Sequence, residues 1–183
     1  MSEVRLQKLY NTKVVPELMK IFSESNKLAV PKLVKVTVNA GLGKALTEPK
    51  LIEIASNTLT RITGQKPSVR KARKSISNFK IKDGMTIGLK VTLRGRRMYE
   101  FLDKLFNVTL ARVRDFRGVD DKALDDQGNI TIGFKEHIVF PEIKSDEVES
   151  VHGLEVTITA NSGNKERGRK LYELLGLPFA KKD

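Results

Sequence analysis

Residues 84–95, GMTIGLKVTLRG, decide the fold, because their side chains alternate between apolar residues and polar or small ones. The apolar positions are Ile87, Leu89, Val91 and Leu93, and the others are Thr86, Gly88, Lys90, Thr92 and Arg94. Successive side chains of a strand point to opposite faces of its sheet. The segment therefore predicts a strand that buries one face and leaves a basic, small-residue face open.

Residues 33–40, LVKVTVNA, repeat this alternation shortly after Pro31 and end at the GLG turn of residues 41–43. Lys35, Thr37 and Asn39 lie on the side opposite Val34, Val36, Val38 and Ala40. We call the surface formed by the polar positions of both segments the polar face. Two interpretations stay open for it: an ordinary solvated sheet face, and a surface that binds phosphate groups.

Helix and strand patterns fill the rest of the chain. Apolar residues at helical spacing predict helices over residues 4–22, 47–63, 98–108 and 171–175. Further strands are predicted near Gln65, in residues 129–140, NITIGFKEHIVF, and in residues 154–161, LEVTITAN. Pro16 is the predicted break of the first helix, Thr47 the predicted cap of the second, and Gly64 and Gly176 are predicted stops.

Strands and helices in this irregular order predict an α+β fold, with a mostly antiparallel sheet, helices packed on one face, and the polar, basic face left open. The chain has 183 residues and is 39% hydrophobic, which is enough for a real core. Because no linker rich in Pro, Gly or Ser divides it, we predict a single domain over residues 1–183.

The charge is distributed unevenly along the chain. The formal net charge is +12, and residues 61–97 hold twelve Lys or Arg against the single acid Asp83. Residues 118–155 are biased the other way, with ten acids against three lysines. The two regions therefore predict two different partners, one negatively and one positively charged.

The densest cationic stretch is KPSVRKARKSISNFKIK, residues 66–82, with seven bases and no acid. We call residues 66–83 the basic segment. Val69, Ile76, Phe79 and Ile81 are spaced through it, so a semi-ordered excursion fits better than a disordered tail. Cations with an occasional aromatic ring suit RNA. An acidic membrane surface is the alternative, but it usually needs an amphipathic helix or a lipid anchor, and neither is visible.

Other classes of protein find little support in the sequence. The chain has no cysteine and no window of about eighteen apolar residues, so we expect a cytoplasmic protein without disulfides, membrane contact or cofactor. GLGK, ending at Lys44, lacks the remaining residues of a phosphate-binding loop. His137 and His152, with Glu136 or Glu142 nearby in sequence, are more economically explained as structural residues than as a metal or catalytic site. A structural RNA-binding protein and a nucleotide-dependent RNA-acting enzyme that uses GLGK stay as alternatives.

Five blocks, in order, carry a family resemblance. They are PKLVKVTVNAGLG (31–43), ITGQKPSVRKARKSISNFKIKDGMTIGLKVTLRGRRMYEFLDKL (62–105), RVRDFRGV (112–119), IGFKEHIVFPEI (132–143) and LYELLGLPF (171–179). They are spread from residue 31 to residue 179 of the chain, which resembles the bacterial form of large-subunit ribosomal protein five, the family that binds 5S rRNA. The resemblance implies a structural protein of the ribosome without enzymatic activity.

The resemblance also implies partners. It implies a protein of the central protuberance that helps attach 5S rRNA to large-subunit rRNA, contacts P-site tRNA, and forms an intersubunit bridge with small-subunit ribosomal protein thirteen. The implied 5S rRNA contacts are Asn39, Gln65 and Thr92, beside the bases Lys35, Lys90 and Arg94. The implied tRNA-contacting loop contains Arg70, Lys71, Arg73, Lys74, Lys80 and Lys82. By charge, we assign the bridge to residues 141–150, PEIKSDEVES, which we call the acidic segment. Its acids are Glu142, Asp146, Glu147 and Glu149.

Overall fold

Strands and helices alternate along the chain in the computed structural model, which describes residues 4–43 and 48–180. The strands are β1 (Leu33–Gly41), β2 (Ser68–Lys71), β3 (Thr86–Leu93), β4 (Ile130–Phe134) and β5 (Leu154–Ala160). The α-helices are α1 (Arg5–Leu9), α2 (Val15–Ile21), α3 (Lys50–Thr63), α4 (Gly95–Lys104) and α5 (Lys165–Leu174). The strands form one antiparallel sheet in the order β2-β3-β1-β5-β4, so the predicted α+β class is confirmed.

The chain forms two compact units. Within the described residues, the first unit comprises the chain up to Val36, Leu93–Ile132, and the chain from Thr157 onward. The second unit comprises Thr37–Thr92 and Gly133–Val156. Each passage of the chain from one unit to the other lies inside a strand, namely β1, β3, β4 or β5.

In the first unit, the kink or break predicted at Pro16 takes the form of an irregular but uninterrupted helix. A π-helical turn, Tyr10–Val14, joins α1 to α2 just before Pro16, and Val14 and Val15 keep helical backbone angles. Proline has no backbone N–H for the regular helical hydrogen bond, so the hydrogen-bond pattern changes at this point. The Tyr10 hydroxyl donates to the carbonyl of Pro31 at 3.0 Å, which ties the helical segment to the chain that leads into β1.

The C-terminal helix of the first unit packs closely on its neighbours. Tyr172 of α5 is fully buried, and its hydroxyl donates to the carbonyl of Ile158 in β5 at 3.2 Å. A Cβ atom on Gly168 would lie 2.5 Å from Cα of Gly128, so this contact requires two glycines. The helix is followed by Gly176 at φ +92°, and this predicted stop is confirmed.

In the second unit, α3 buries the predicted face. Ala55, Leu59 and Ile62 are at most 2% exposed. The helix ends at Gly64, which has φ +66° and donates its N–H to the carbonyl of Thr60 at 2.8 Å. This predicted stop is confirmed, whereas the predicted cap Thr47 lies outside the described residues.

Three predicted boundaries differ from the observed ones. Strand β2 begins at Ser68 instead of near Gln65, because Gln65 still belongs to the turn that closes α3. Only Ile130–Phe134 of NITIGFKEHIVF is a strand. His137 begins a 3-10 turn, and the N–H of His137 donates to the carbonyl of His152 at 3.1 Å. Val108 is 41% exposed, because the helix widens into a π-helical turn after α4, which changes the residues that share a face.

Candidate nucleic-acid interface

The alternation is confirmed by burial from Val36 to Ala40 and from Leu89 to Leu93, whereas Val34 and Ile87 of the apolar side are only half-buried. On the apolar side, Val36, Val38 and Ala40 are fully buried, as are Leu89, Val91 and Leu93 at 1% exposure each. On the other side, Asn39, Lys90 and Thr92 are only half-buried. The strands therefore have one side in the core and one side that a ligand can reach.

Gln65 joins Thr92 although 27 residues separate them in sequence. The left-handed turn at Gly64 ends α3. The Thr63 hydroxyl donates to the Leu59 carbonyl at 2.7 Å and accepts from the Gln65 N–H at 3.3 Å, which fixes the backbone. The side-chain amide of Gln65 then donates to the carbonyl of Thr92 at 3.4 Å. Two of the three implied 5S rRNA contacts are thus neighbours.

Strands β1 and β3 approach each other closely at Gly88. A Cβ atom there would lie 2.8 Å from the carbonyl oxygen of Ala40, and the N–H of Leu42 donates to the carbonyl of Ile87 at 2.9 Å. Counting along the antiparallel strands from this point places Asn39 and Lys90 beside each other on the polar face. Within the described residues, neither the Asn39 amide nor the Thr92 hydroxyl has a hydrogen-bond partner, so both are available to a ligand.

Strand β2 adds residues to the polar face that the sequence analysis did not find. Ser68 pairs with Lys90 and Arg70 pairs with Gly88, and paired residues lie on the same side of a sheet. The Ser68 hydroxyl also donates to the Lys90 carbonyl at 3.1 Å. The signal available in the sequence was the alternation Ser68, Val69, Arg70, which is too short to be read alone.

Two predicted bases of the polar face, Lys35 and Arg94, belong to the first unit. Arg94 is exposed, and its guanidinium donates to the carbonyl of Val34 at 3.5 Å, beside the half-buried Lys35. Asn39, Gln65, Lys90 and Thr92 belong to the second unit. The predicted 5S rRNA residues are therefore distributed over strand positions in both units.

The basic segment is more ordered than the sequence predicts, which corrects the placement of Arg70 and Lys71. Both residues lie in β2 and pair with β3, with an irregular register between them, rather than in a loop. The ladder continues through the buried Ala72, whose N–H donates to the carbonyl of Met85 at 2.8 Å. This segment is therefore the outer strand of a hairpin, and the loop begins at Arg73.

The end of this hairpin, residues 76–81, is a small closed structure that we call the hairpin tip. Ile76 and Ile81 exchange backbone hydrogen bonds of 2.8 and 3.1 Å around a 3-10 turn, Ser77–Phe79. Lys80 closes the turn at φ +55°. The Phe79 side chain is 68% exposed, which is costly in water without a partner.

The cations of the basic segment have no acidic partners among the described residues. This holds for Arg70, Lys71, Arg73, Lys74, Lys80 and Lys82. Elsewhere in the same unit, cations do form ion pairs, such as Arg61 with Glu147 at 2.9 Å and Lys50 with Glu149 at 3.2 Å. The basic segment therefore presents uncompensated charge to a negatively charged ligand.

The acidic segment is partly neutralised within its own unit. Glu147 accepts from Arg61 and Lys144, and these bonds hold the pKa of its carboxyl below the usual value. Glu149 pairs with Lys50, and the backbone carbonyl of Glu142 accepts from Arg61 at 2.8 Å. Asp146 is exposed and has no ion-pair partner among the described residues. Of the four predicted bridge residues, Asp146 is therefore the one most available to a basic partner.

The alternative sites have little structural support. Within residues 4–43 and 48–180, no group of three or more His, Asp or Glu side chains could hold a metal ion. Lys44 of GLGK lies outside the described residues. His137 and His152 stack on each other, with ring centroids 4.2 Å apart, instead of converging on a common point. In the part of the chain that the structure describes, no helix is both long and apolar enough to cross a membrane.

Comparison with known proteins shows the family. Residues 26–82 match the family model described as "Ribosomal protein L5", and residues 86–179 match the model described as the C-terminus of the same ribosomal family. The large ribosomal subunit protein uL5 of Halothermothrix orenii is 52% identical over 174 residues, which are 95% of this chain and 97% of that protein. The uL5 of Caldanaerobacter subterraneus subsp. tengcongensis is 51% identical over 177 residues, which are 97% of this chain and 99% of that protein. The chain therefore belongs to the ribosomal protein L5 family.

Family membership confirms three predictions. The chain is a structural protein of the ribosome, it is not an enzyme, and its place is the ribosome in the cytoplasm. The nucleotide-dependent enzyme is thereby set aside.

Proposed function

We propose that this protein of the large ribosomal subunit binds 5S rRNA through the polar face and helps attach it in the central protuberance. We further propose that the basic segment contacts P-site tRNA and that the acidic segment forms an intersubunit bridge with small-subunit ribosomal protein thirteen. We also propose that residues 1–183 form a single domain. The observation that carries it is the polar face, where neutral hydrogen-bonding groups lie among cations.

The composition of the polar face supports RNA recognition rather than simple solvation. Asn39 and Thr92 are half-buried, and their side chains have no hydrogen-bond partner among the described residues. Gln65 is held beside Thr92. Such groups suit base edges and 2′-hydroxyls, whereas Lys90 and Arg94 suit phosphates of the same RNA. Cations alone would supply affinity without selectivity.

Assembly of large subunits in vitro tests the proposed function. Particles assembled without this protein should lack most of their 5S rRNA, and adding the protein back should restore it. The restoration should need no nucleotide, because the proposed role is structural. Particles that take up 5S rRNA equally well without the protein would contradict the proposal.

The contact with P-site tRNA is supported by the uncompensated cations of the hairpin. Arg73, Lys74, Lys80 and Lys82 follow β2, and Phe79, whose side chain is 68% exposed, lies between Lys74 and Lys80 in sequence. Contact through phosphates is indifferent to sequence, as a site that accepts every tRNA requires. A photo-crosslinking residue in place of Lys80 should crosslink to P-site tRNA in assembled ribosomes. Crosslinks to rRNA alone would assign the hairpin to another partner.

The bridge is supported by the charge of the acidic segment, which would repel RNA and attract a basic protein. Because Glu147 and Glu149 already pair with Arg61 and Lys50, reversing their charge would also disturb the fold of the segment. Asp146→Lys avoids this problem and should weaken subunit association, most strongly at low salt. Asp126→Lys, another exposed acid, is the control. Equal association of both variants would make the acidic segment a solvated surface.

A further inference from the structure

The two histidines of the chain, His137 and His152, lie at the two ends of the acidic segment and stack on each other. His137 is 2% exposed, the ring centroids are 4.2 Å apart and the ring planes differ by 13°. The backbone also joins the two residues, because the N–H of His137 donates to the carbonyl of His152 at 3.1 Å. The pair thus closes the segment between them into a loop.

We propose that this pair is an acid-sensitive clasp, which holds the acidic segment closed while both rings are neutral and releases it when they are protonated. The proposal goes beyond the proposed function and does not require it, since it concerns the closure of the segment and not its partner.

One of the two hydrogen bonds available to Nδ1 of His137 requires a neutral ring. The N–H of His152 donates to Nδ1 of His137 at 3.3 Å, which needs a lone pair on that nitrogen. Nδ1 is also 3.2 Å from the carbonyl oxygen of His152, and that oxygen can only accept. Protonation of Nδ1 therefore breaks the first bond and forces the ring toward the carbonyl.

A second proton on the His152 ring would have no hydrogen-bond acceptor among the described atoms. Its Nδ1 is 3.2 Å from the carbonyl oxygen of Gly153, so Nδ1 carries the hydrogen of the neutral ring. Its Nε2 is buried and has no hydrogen-bond partner among the described atoms. A proton there would be an unsatisfied buried donor, 4.2 Å from a second ring that is charged at the same pH.

The charged groups around the pair do not remove this penalty. Glu136 precedes His137, and a cavity of about 140 Å³ that His137 lines is also lined by Arg61, Glu147 and Glu149. Burial lowers the pKa of His137, although the bond to His152 and the charge of Glu136 act in the opposite direction. Burial, followed by the charge of His137, lowers the pKa of His152.

Other contacts of the acidic segment determine which of its residues are released when the clasp opens. Phe140 and Ile143 are buried at 0% and 5% exposure, so they hold the beginning of the acidic segment. Residues 144–151 depend on the clasp and on the ion pairs of Glu147 and Glu149, whose side chains are 41% and 64% exposed. Exposed ion pairs contribute little to stability. Release should therefore be confined to residues 144–151.

The sign of the pH dependence follows from the lowered pKa values. Between the ordinary histidine value of about 6.5 and the lower folded values, the open state binds more protons than the closed one. Closure is therefore complete above about pH 6.5 and is lost as the pH falls toward the folded pKa values. Glu147, whose pKa is lowered from a carboxyl value, titrates at still lower pH.

Hydrogen exchange of the full chain tests the clasp. Corrected for intrinsic rates, amides of residues 144–151 should exchange more than about ten-fold faster at pH 5 than at pH 7.5, while α3 stays protected. His137→Gln retains a hydrogen-bond acceptor without a titrating ring, so the pH dependence of exchange in residues 144–151 should fall to the part that His152 alone supplies. Unchanged exchange of the wild-type protein, or a variant with the wild-type pH dependence, would overturn the proposal.

NMR titration of the wild-type protein is a second test of the clasp, and it does not depend on the folding of the variant. Because the chain has two histidines, their Hε1 signals are readily assigned. Both should titrate below about pH 6.5, together with the amide shifts of residues 144–151. Histidine titration near the ordinary value without amide shifts, or amide shifts at a different midpoint, would overturn the clasp.

Discussion

At the residue scale, Asn39 and Thr92 are neutral groups on a surface that is otherwise cationic. We expect Asn39→Ala or Thr92→Ala to weaken 5S rRNA binding by about 1–3 kcal/mol, because the RNA group that each contacts would lose its partner. The slope of affinity against salt should not change, since no charge is removed. Equilibrium filter binding at several salt concentrations measures both quantities.

The matched control for these variants is Thr60→Ala, which removes an exposed hydroxyl of α3 that bonds to the Ser56 carbonyl at 2.7 Å. It should leave the affinity for 5S rRNA unchanged. Wild-type affinity in both Asn39→Ala and Thr92→Ala would remove the polar face from the RNA site.

Gly168 is a residue at which the fold depends directly on a missing side chain. In Gly168→Ala, the new Cβ would lie 2.5 Å from Cα of Gly128, so α5 must move and the free energy of unfolding should fall by about 1–3 kcal/mol. Gly133→Ala is the control, because nothing lies within 4 Å of a Cβ there. Urea unfolding followed by circular dichroism compares them, and equal stabilities would show that the contact relaxes easily.

At the element scale, the cations of the hairpin formed by β2, β3 and the residues between them can be replaced without disturbing the fold. A variant with Gln at Arg73, Lys74, Lys80 and Lys82 should fold normally, because these cations have no intramolecular partners among the described residues. Its tRNA affinity should fall, and its salt slope should be smaller by about three. Salt titrations with tRNA measure both, and an unchanged slope would show that these residues do not contact phosphates.

A deletion within the basic segment tests the hairpin only if it leaves β2 intact. Removing residues from Arg70 onward would destroy half of β2 and a ladder that includes the Ala72 to Met85 hydrogen bond. Replacing only the hairpin tip with a Gly/Ser turn leaves the ladder intact. Loss of 5S rRNA binding in that variant would assign the hairpin tip to the 5S rRNA site.

Some of the strands and contacts could be predicted from the sequence, and others could not. Strands β1 and β3 could be predicted because their alternation spans seven or more residues, and this alternation also placed Asn39 and Thr92 on the polar face. The sequence predicts a strand near Gln65, but the bounds of β2 could not be predicted, since pairing with β3 rather than its own four exposed residues defines it. The contact of Gln65 with Thr92 and the stacking of the histidines join residues that are far apart in sequence, so no local sequence pattern predicts them.

At the scale of the whole molecule, the prediction of one domain can be tested by unfolding. Because the chain passes between the two units inside β1, β3, β4 and β5, unfolding one unit interrupts strands of the other. We therefore expect a single cooperative transition. All three tyrosines belong to the first unit, so near-ultraviolet circular dichroism reports on it, and exchange of α3 amides reports on the second. Two different urea midpoints would show separate domains.

The central claim is that the whole molecule selects 5S rRNA and does not simply attract any RNA by its charge of +12. The most direct measurement is the equilibrium affinity for 5S rRNA and for an unrelated RNA of equal length, from about 0.1 to about 0.3 M salt. Neutral contacts from the polar face do not weaken with salt, so the preference for 5S rRNA should persist or grow as the salt concentration rises. Equal affinities for the two RNAs, falling with the same slope, would contradict the account.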